Sequence, residues 1–289
     1  MRTDDAAASI TDLIHLERVE ENLYRGACHP GAPLRAFGGQ VAAQALVAAG
    51  TTVAPDRLVH SLHGYFIRAG RTDRPIVYEV DRTRDGGSFT TRRVVAIQDG
   101  VAIFSLSASF HRPEESPEHQ AAMPRTPGPE GLPETWEADG GREAPAVFGT
   151  VLESRCATSA YTGLPDIGQG PRQELWVRAR GTLADSPLLH ACVLTYISDI
   201  RLALTATLPH LDGPEFPPVV SLDHALWFHR PFRADEWLLF AMESPSHASA
   251  RGLTRGQFFS RDGSLVASVV QEGLFRKPAH PTDRSAPSQ

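Results

Sequence analysis

Three polar side chains occupy positions where the surrounding sequence is otherwise apolar, and they are the residues best suited to chemistry. Asp199 follows an apolar run that includes Val193, Leu194, Tyr196 and Ile197, Gln271 interrupts an apolar segment, and Ser221 begins another. A carboxylate in apolar surroundings loses hydration, so its pKa rises toward the range useful to a general base. The amide and the hydroxyl could hold a water molecule in the same hydrogen-bond network.

Each of these residues also has a structural interpretation. Asp199 could end a helix at the protein surface. Gln271 could hydrogen-bond to the backbone, as most buried amides do. Ser221 could be an ordinary serine at the end of a strand, with a locally bonded hydroxyl. The residues alone leave both interpretations open.

Familiar hydrolase and nucleotide motifs are missing from the chain. The sequence contains no GxSxG, HExxH, GxxxxGK[ST] or GxGxxG pattern. Its three cysteines, Cys28, Cys156 and Cys192, are far apart and form no zinc-type spacing. We therefore predict reduced thiols, no metal and no cofactor.

Composition limits the partners that the chain could have. The 289 residues carry a formal net charge of −6, and 41% of them are hydrophobic. A global basic field that would attract nucleic acid is thus excluded. The N-terminus lacks the features of a signal peptide, and no apolar run approaches the ~18 residues of a membrane span. The terminal Ala-Pro-Ser-Gln289 is not a peroxisomal address. We expect a cytoplasmic protein with no nucleic-acid or membrane partner.

Two apolar helices and several hairpins are predicted to position the polar residues. Phe37–Ala49 is rich in helix formers, and Ser186-Pro187 is a good start for a second helix that continues to Asp199. Both are apolar nearly all round, which indicates buried helices. Asp99-Gly100 and Asp262-Gly263 each lie between β-branched runs, a strong hairpin signal.

The order of these features occurs twice along the chain. Ser61-Leu62 aligns with Ser221-Leu222, Phe66 and Arg68 with Phe228 and Arg230, and the first Asp-Gly pair with the second. A buried helix followed by an antiparallel sheet, present twice, predicts an α+β double hot-dog. The predicted boundaries are an N-terminal hot-dog at 1–112, a proline-rich linker at 113–147, a C-terminal hot-dog at 148–277 and a disordered tail at 278–289.

These segments resemble the acyl-CoA thioesterase II family over nearly the whole chain. The resemblance is carried by the following segments: Leu16–Gly26, Phe37–Leu46, Ser61–Phe66, Arg84–Arg93, Tyr196–Asp199, Leu222–Phe232 and Val270–Gly273. It implies hydrolysis of fatty acyl-CoA to free fatty acid and CoA. It also implies a catalytic trio of Asp199, Ser221 and Gln271, which are the three polar residues identified above.

Our hypothesis is that this trio holds one water against the thioester carbonyl and that Asp199 takes its proton. Backbone N–H groups of Gly39 and Gln40, at the start of the first helix, are candidate oxyanion donors. His63, the first-half counterpart of Asp223, is a candidate substrate contact, although a structural role fits it better. Separately, Arg68, Arg71 and Arg230 could meet a CoA phosphate or be ordinary surface charges.

Two other functions are compatible with the sequence. One is a hot-dog dehydratase or hydratase, which usually needs an Asp/His pair, and the other is a non-catalytic protein that binds acyl thioesters. The chain-length preference and the choice between CoA and a carrier protein stay open. A homodimer or homotetramer is compatible with the predicted fold.

Overall fold

The computed structural model describes residues 9–29, 35–135, 146–158, 171–210 and 219–276. The elements of the first half are α1 (Ile10–Ile14), β1 (Glu17–Glu20), β2 (Leu23–Gly26), α2 (Gly38–Gly50), β3 (Leu58–Phe66), β4 (Ile76–Asp85), β5 (Phe89–Gln98) and β6 (Val101–His111). Those of the second half are α3 (Ala146–Val151), β7 (Leu152–Thr158), β8 (Arg172–Ala179), α4 (Pro187–Ser198), a 3-10 helix (Ala203–His210), β9 (Val219–Ser221), β10 (Asp223–Phe228), β11 (Leu238–Ala248), β12 (Arg251–Ser260) and β13 (Leu265–Phe275).

The strands form a single antiparallel sheet whose order is nearly symmetric. It runs β1-β2-β4-β5-β6-β3-β10-β13-β12-β11-β8-β7, with β9 pairing on β13. Outward from the β3–β10 junction, the first half gives β6, β5, β4, β2 and β1, and the second gives β13, β12, β11, β8 and β7. The two halves thus have the same strand order, as the predicted duplication requires.

The hairpin signals in the sequence correspond to real turns. At the β5–β6 turn, Asp99 and Gly100 have φ values of 52° and 78°, and Gly263, before β13, has φ 88°. A two-residue turn with positive φ at both positions matches the twist of the flanking strands. The strands predicted on either side of both Asp-Gly pairs are therefore confirmed.

The two central helices are buried, as their all-round apolar character predicts. Helix α4 begins as the sequence indicates, with the Ser186 hydroxyl accepting from the Leu189 N–H at 3.4 Å and Pro187 at the first helical position. Helix α2 packs against α4 and against β3, β4, β5 and β6. Residues of both helices and of both half-sheets share one hydrophobic core. The first residues of α2 and the last of α4 can therefore meet inside the molecule.

Within the described residues, and contrary to the expectation from the sequence, one segment is long and apolar enough to cross a membrane. Pro187–His210, which contains α4 and the 3-10 helix, spans 24 residues, and 83% of its most apolar window is buried inside the protein. Core helices of soluble proteins satisfy the same criteria of length and composition. Burial among other elements explains the apolar character of this segment without a membrane.

The described residues of the predicted linker are 113–135, which contact the second half, and 146–147, which begin α3. The Gln120 side chain bonds to the Gly263 carbonyl and the Leu265 N–H at 2.7 and 3.0 Å, and the Trp176 indole donates to the Pro127 carbonyl at 2.7 Å. The predicted tail at 278–289 lies outside the described residues. The domain boundaries stay a prediction.

Candidate active site

Asp199 lies at the point where the two central helices meet. It is the C-cap residue of α4, so the interpretation of a helix-ending residue is correct for its backbone. Its side chain, however, faces other elements. One carboxylate oxygen, Oδ2, accepts from the Gly39 N–H at 2.8 Å, and Oδ1 accepts from Gln271 Nε2 at 2.7 Å. The carboxylate therefore links the first half of the chain to the second.

The Gln271 amide joins Asp199 to Ser221. Gln271 lies on β13 with 0% of its surface exposed. Its Nε2 group donates to Asp199 Oδ1 at 2.7 Å and to Ser221 Oγ at 2.6 Å. An amide NH₂ has two hydrogens, so both donations are made at once. The structure thus brings together the three polar residues that interrupt apolar segments of the sequence.

Two glycines at the start of α2 allow the helix to approach Asp199. A Cβ atom on Gly38 would lie 2.8 Å from Asp199 Oδ2, and one on Gly39 would lie 2.5 Å from the Tyr196 carbonyl oxygen. Contacts this short would displace the neighbouring atoms. The Phe37-Gly-Gly-Gln40 segment therefore has a physical reason for its glycines, which is the contact between the α2 N-terminus and the carboxylate.

Burial raises the pKa of Asp199 from 3.8 to about 6, because the charged form loses hydration. The hydrogen bonds from Gln271 and Gly39 act in the opposite direction, since they favour the carboxylate. The N-terminus of a helix also favours negative charge. At neutral pH the group is mostly ionised, yet it is a stronger base than an ordinary aspartate.

An aromatic wall surrounds the start of α2 and explains part of this desolvation. Phe37 packs edge-on against Tyr196 and Phe148, with ring centroids 5.0 and 4.9 Å apart. The Phe66 ring lies 2.9 Å from the ideal Cβ position of Gly38, on the side where Asp199 also lies. Tyr196 is fully buried, and its Oη atom has no hydrogen-bond partner among the described residues.

The other predicted contacts have different surroundings. The Gln40 side chain is buried away from the carboxylate, where Nε2 donates to the Leu13 and Ala27 carbonyls at 2.7 and 3.1 Å. His63 is exposed and packs edge-on against Trp227, with ring centroids 5.0 Å apart. Its neighbour Leu62 points into the core, so His63 faces the outer side of the sheet. This outward position does not favour a substrate contact, and the role of His63 stays a prediction.

Sequence reasoning missed His224 and Ser198. His224 is 1% exposed on β10, and its Nε2 atom lies 2.8 Å from the hydroxyl of Ser198, the residue before Asp199. Desolvation lowers the pKa of His224 to about 4, so its ring is neutral at physiological pH. A signal was present, because Leu226 is a core residue and the alternation of a strand places His224 on the same face.

The three arginines predicted as phosphate contacts bond to protein groups, two to carboxylates and one to a backbone carbonyl. Arg71 pairs with Asp73 at 2.6 Å, and Arg230 pairs with Glu118 at 3.0 Å. Arg68 is exposed and donates to the Ala102 carbonyl at 2.8 Å. Across the described residues, no group of three or more His, Cys, Asp or Glu side chains could hold a metal ion. The three cysteines are free thiols.

Comparison with known proteins identifies the family. An acyl-CoA thioesterase model matches residues 161–274, and a model of the acyl-CoA thioesterase N-terminal domain matches residues 28–111. The chain is 41% identical to acyl-coenzyme A thioesterase 8 of Rattus norvegicus, over 92% of this chain and 88% of that protein. The chain belongs to the acyl-CoA thioesterase II family.

Solved structures of similar proteins support both the family and the fold. The acyl-CoA thioesterase II TesB2 of Mycobacterium marinum is 45% identical, with a TM-score of 0.80, over 93% of this chain and 98% of that one. A hot-dog protein of unknown function from Alicyclobacillus acidocaldarius has a TM-score of 0.75 at 21% identity, over 93% and 98% of the two chains. The predicted double hot-dog fold is confirmed.

This thioesterase II chain is an enzyme that hydrolyses acyl-CoA thioesters. Both halves of the chain are matched by thioesterase models. The predicted hydrolase activity is thereby confirmed, and the two alternative functions lose their support. Among the described residues, the hydrogen-bond partners of the Asp199 carboxylate are Gly39 and Gln271.

Proposed function

We propose that this thioesterase hydrolyses fatty acyl-CoA by direct attack of a water molecule that Asp199 activates. The observation that carries the proposal is the convergence of three groups, because Gln271 Nε2 lies 2.7 Å from Asp199 Oδ1 and 2.6 Å from Ser221 Oγ. A carboxylate has about four acceptor positions, so two remain for a water after Gly39 and Gln271 are bound.

In the proposed reaction, each member of the trio has a separate task. Asp199 accepts a proton as water attacks the thioester carbon, and its raised pKa favours that transfer. Gln271 holds the carboxylate, and the Ser221 hydroxyl keeps its own hydrogen to orient the water. The C–S bond then breaks, and the proton held by Asp199 goes to the leaving thiolate. The products are a carboxylic acid and the free thiol.

The N-terminus of α2 has a second task in this proposal. The Gly39 N–H is used by Asp199, where it stabilises the ionised base. The next N–H, on Gln40, belongs to the first turn of the helix, where backbone donors have no partner within the helix. We propose that Gln40 donates to the oxyanion through its backbone, while its side chain keeps α2 attached to the Leu13 and Ala27 carbonyls.

We also propose that the natural substrates are fatty acyl-CoA molecules in the cytoplasm. The fatty acyl part is supported by the aromatic wall of Phe37, Tyr196 and Phe148, which offers apolar surface beside the carboxylate. The proposed location is supported by the composition of the chain, which has a formal net charge of −6 and 41% hydrophobic residues. A homodimer or homotetramer stays a prediction.

The experiment that tests the mechanism is thiol release from acyl-CoAs of graded chain length. We expect Asp199→Asn to lower kcat by about 10²–10⁴-fold, the usual contribution of a general base. Its KM should change little, because the asparagine keeps the size of the side chain and the acyl-binding surface. Asp185→Asn is the matched control, since that carboxylate is 97% exposed.

The two variants separate base catalysis from a general effect of charge. Full activity in Asp185→Asn with a large loss in Asp199→Asn would support the proposal. Wild-type turnover in Asp199→Asn would show that Asp199 is not the base. The hydrolase activity would then stand with another group activating the water.

A further inference from the structure

The orientation of the Gln271 amide requires a donor that the catalytic trio does not contain. An ionised Asp199 is an acceptor, so Gln271 must present its NH₂ group to it. The amide oxygen, Oε1, then points away from Asp199 and needs a donor of its own. That oxygen is buried and has no hydrogen-bond partner with good geometry among the described residues. A buried acceptor without a donor is costly.

His224 lies opposite Gln271 on the neighbouring strand. Ala225 of β10 pairs with Val270 of β13, so the adjacent residues, His224 and Gln271, face each other across the two strands. Both side chains are buried on the inner face, with 1% and 0% of their surface exposed. His224 Nδ1 is likewise buried without a well-aligned partner. Hydrogen bonding to Gln271 partly offsets the effect of burial on the pKa of His224.

Ser198 and Gln271 together decide which ring nitrogen of His224 carries the proton. A neutral imidazole has one N–H, and the partners of the two nitrogens select the tautomer. The Ser198 hydroxyl has one hydrogen and two acceptors within reach, the Thr195 carbonyl at 2.9 Å and His224 Nε2 at 2.8 Å. When the hydrogen goes to the Thr195 carbonyl, Nε2 carries the ring proton and Gln271 Oε1 stays without a donor. When it goes to Nε2, the ring proton is on Nδ1, facing Gln271, and the buried Oε1 gains the donor that it lacks.

We propose that His224 is a positioning residue, which donates from Nδ1 to Gln271 Oε1 and so keeps the amide NH₂ directed at Asp199 and Ser221. The proposal rests on the water mechanism above. It places Ser198 and His224 behind Gln271, on the side away from the water. Without the Nδ1 donor, the amide can rotate by half a turn and present its oxygen to the carboxylate. Asp199 then loses a donor and gains a repulsive neighbour.

The pH dependence of activity separates this role from a merely structural one. The groups that face Asp199 are the Gly39 amide of α2, the Gln271 amide of β13 and Tyr196 of its own helix. Those that face His224 are Ser198 of α4 and Gln271. Because only the Gln271 contact changes with the amide orientation, loss of His224 should raise the pKa of Asp199 further. A variant that only folds less well would not move that pKa.

The test compares His224→Leu with His224→Asn. Leucine removes the donor, so we expect kcat to fall at least tenfold. This loss is on the order of the contribution of one hydrogen bond. The acidic limb of the pH profile should move to higher pH, and KM should stay within about threefold of the wild-type value. Asparagine places an N–H near the Nδ1 position. It should therefore restore most of kcat and return the limb toward its wild-type position.

Two further variants serve as backup and control. Ser198→Ala removes one hydroxyl, and we expect a smaller loss of kcat with the same upward shift of the limb, which tests the proposal even if His224→Leu fails to fold. His60→Leu is the matched control. Its Nε2 lies 2.8 Å from the Ser109 hydroxyl, a similar pair that is remote from Gln271 in the chain and on other strands.

The outcomes distinguish failure of this proposal from failure of the mechanism. If Gln271→Ala and Asp199→Asn both keep wild-type turnover, the proposed mechanism fails. If those two variants lose activity while His224→Leu and Ser198→Ala keep both kcat and the wild-type limb, the role of His224 alone is overturned. The role of His224 is supported if the acidic limb moves to higher pH in His224→Leu, returns in His224→Asn and does not move in His60→Leu.

Discussion

At the scale of single residues, the environment of Asp199 balances two opposing effects. Burial raises its pKa and makes it a better proton acceptor, whereas the Gly39 and Gln271 donors keep it ionised at neutral pH. A more apolar site without those donors would protonate the base, and a more polar site would weaken it. The two hydrogen bonds, at 2.8 and 2.7 Å, therefore oppose the effect of burial on the pKa of Asp199.

The pH profile of the enzyme follows from this balance. In the proposed mechanism Asp199 accepts a proton only when it is ionised, so activity should be lost as pH falls through its pKa of about 6. We expect kcat/KM to fall about tenfold per unit below pH 6 and to level off above it. An ordinary aspartate would keep its activity down to about pH 4. The substrate used in this assay should be an acyl-pantetheine, which lacks the CoA phosphates, because those phosphates titrate near pH 6 themselves.

A control for folding makes this profile decisive. Near-UV circular dichroism at each pH shows whether the protein stays folded across the range. A plateau that extends from pH 8 to pH 5 in folded enzyme would contradict the assignment of a raised pKa to the base.

At the scale of elements, the site depends on how closely two helices approach. The first turn of α2 meets the C-cap residue of α4, Asp199, and this is possible because Gly38 and Gly39 have no side chains. Both helices are otherwise held by burial of their apolar faces, and Arg92, which is 1% exposed, bonds to Thr52 just after α2 at 2.8 Å. The sheet thus holds the end of α2 that is remote from the site.

Gly39→Ala tests this close approach. The new Cβ would lie 2.5 Å from the Tyr196 backbone oxygen, so α2 must move away from α4 and the Gly39–Asp199 hydrogen bond must lengthen. A hydrogen bond to a charged group contributes roughly 1.5–3 kcal/mol, so we expect kcat to fall roughly 10- to 100-fold. Thiol release under saturating substrate measures this loss.

Gly87→Ala is the control for this prediction. A Cβ at Gly87 would meet nothing within 4 Å. The same change of residue type at that position should leave kcat unchanged. If Gly39→Ala behaved in the same way, the close approach of the helices would have no catalytic importance.

At the scale of the whole molecule, the junction between β3 and β10 sets the position of one half against the other. The Gly39 backbone N–H that binds Asp199 comes from the first half of the chain, whereas Asp199, Ser221 and Gln271 come from the second. At the junction Leu62 pairs with Leu226, and both side chains are fully buried. The enzyme therefore requires the two halves to stay in one continuous sheet with one shared core.

Leu62→Ala should weaken this junction. Loss of a fully buried leucine costs about 2–5 kcal/mol, through lost burial and the cavity that it leaves. We expect the free energy of unfolding, measured with urea, to fall by that amount. Val19→Ala, at a side chain that is 50% exposed on the edge strand β1, should change it by less than about 0.5 kcal/mol. Equal effects would show that the junction is not a major source of stability.

Much of the fold can be predicted from the sequence because its signals are local. The Asp-Gly turns, the β-branched runs beside them and the Ser186-Pro187 helix start each act over a few residues, and the structure has the corresponding elements. The duplication adds long-range information, since it predicts that both halves share one strand order. Asp199, Ser221 and Gln271 are detectable because a polar residue within an apolar segment needs a specific partner.

The tertiary structure alone decides which groups meet. A one-residue step along a strand reverses the face of a side chain, and for this reason His63 faces outward while His224 faces Gln271. The donor to Asp199 Oδ2 is a backbone N–H, and backbone groups have no signature in the residue types. The sequence by itself determined the elements and the polar residues, because those depend on local propensity and on the cost of burying polar atoms. The packing of α2 against α4 decided their hydrogen-bond partners, because those depend on atoms 160 residues apart in the chain.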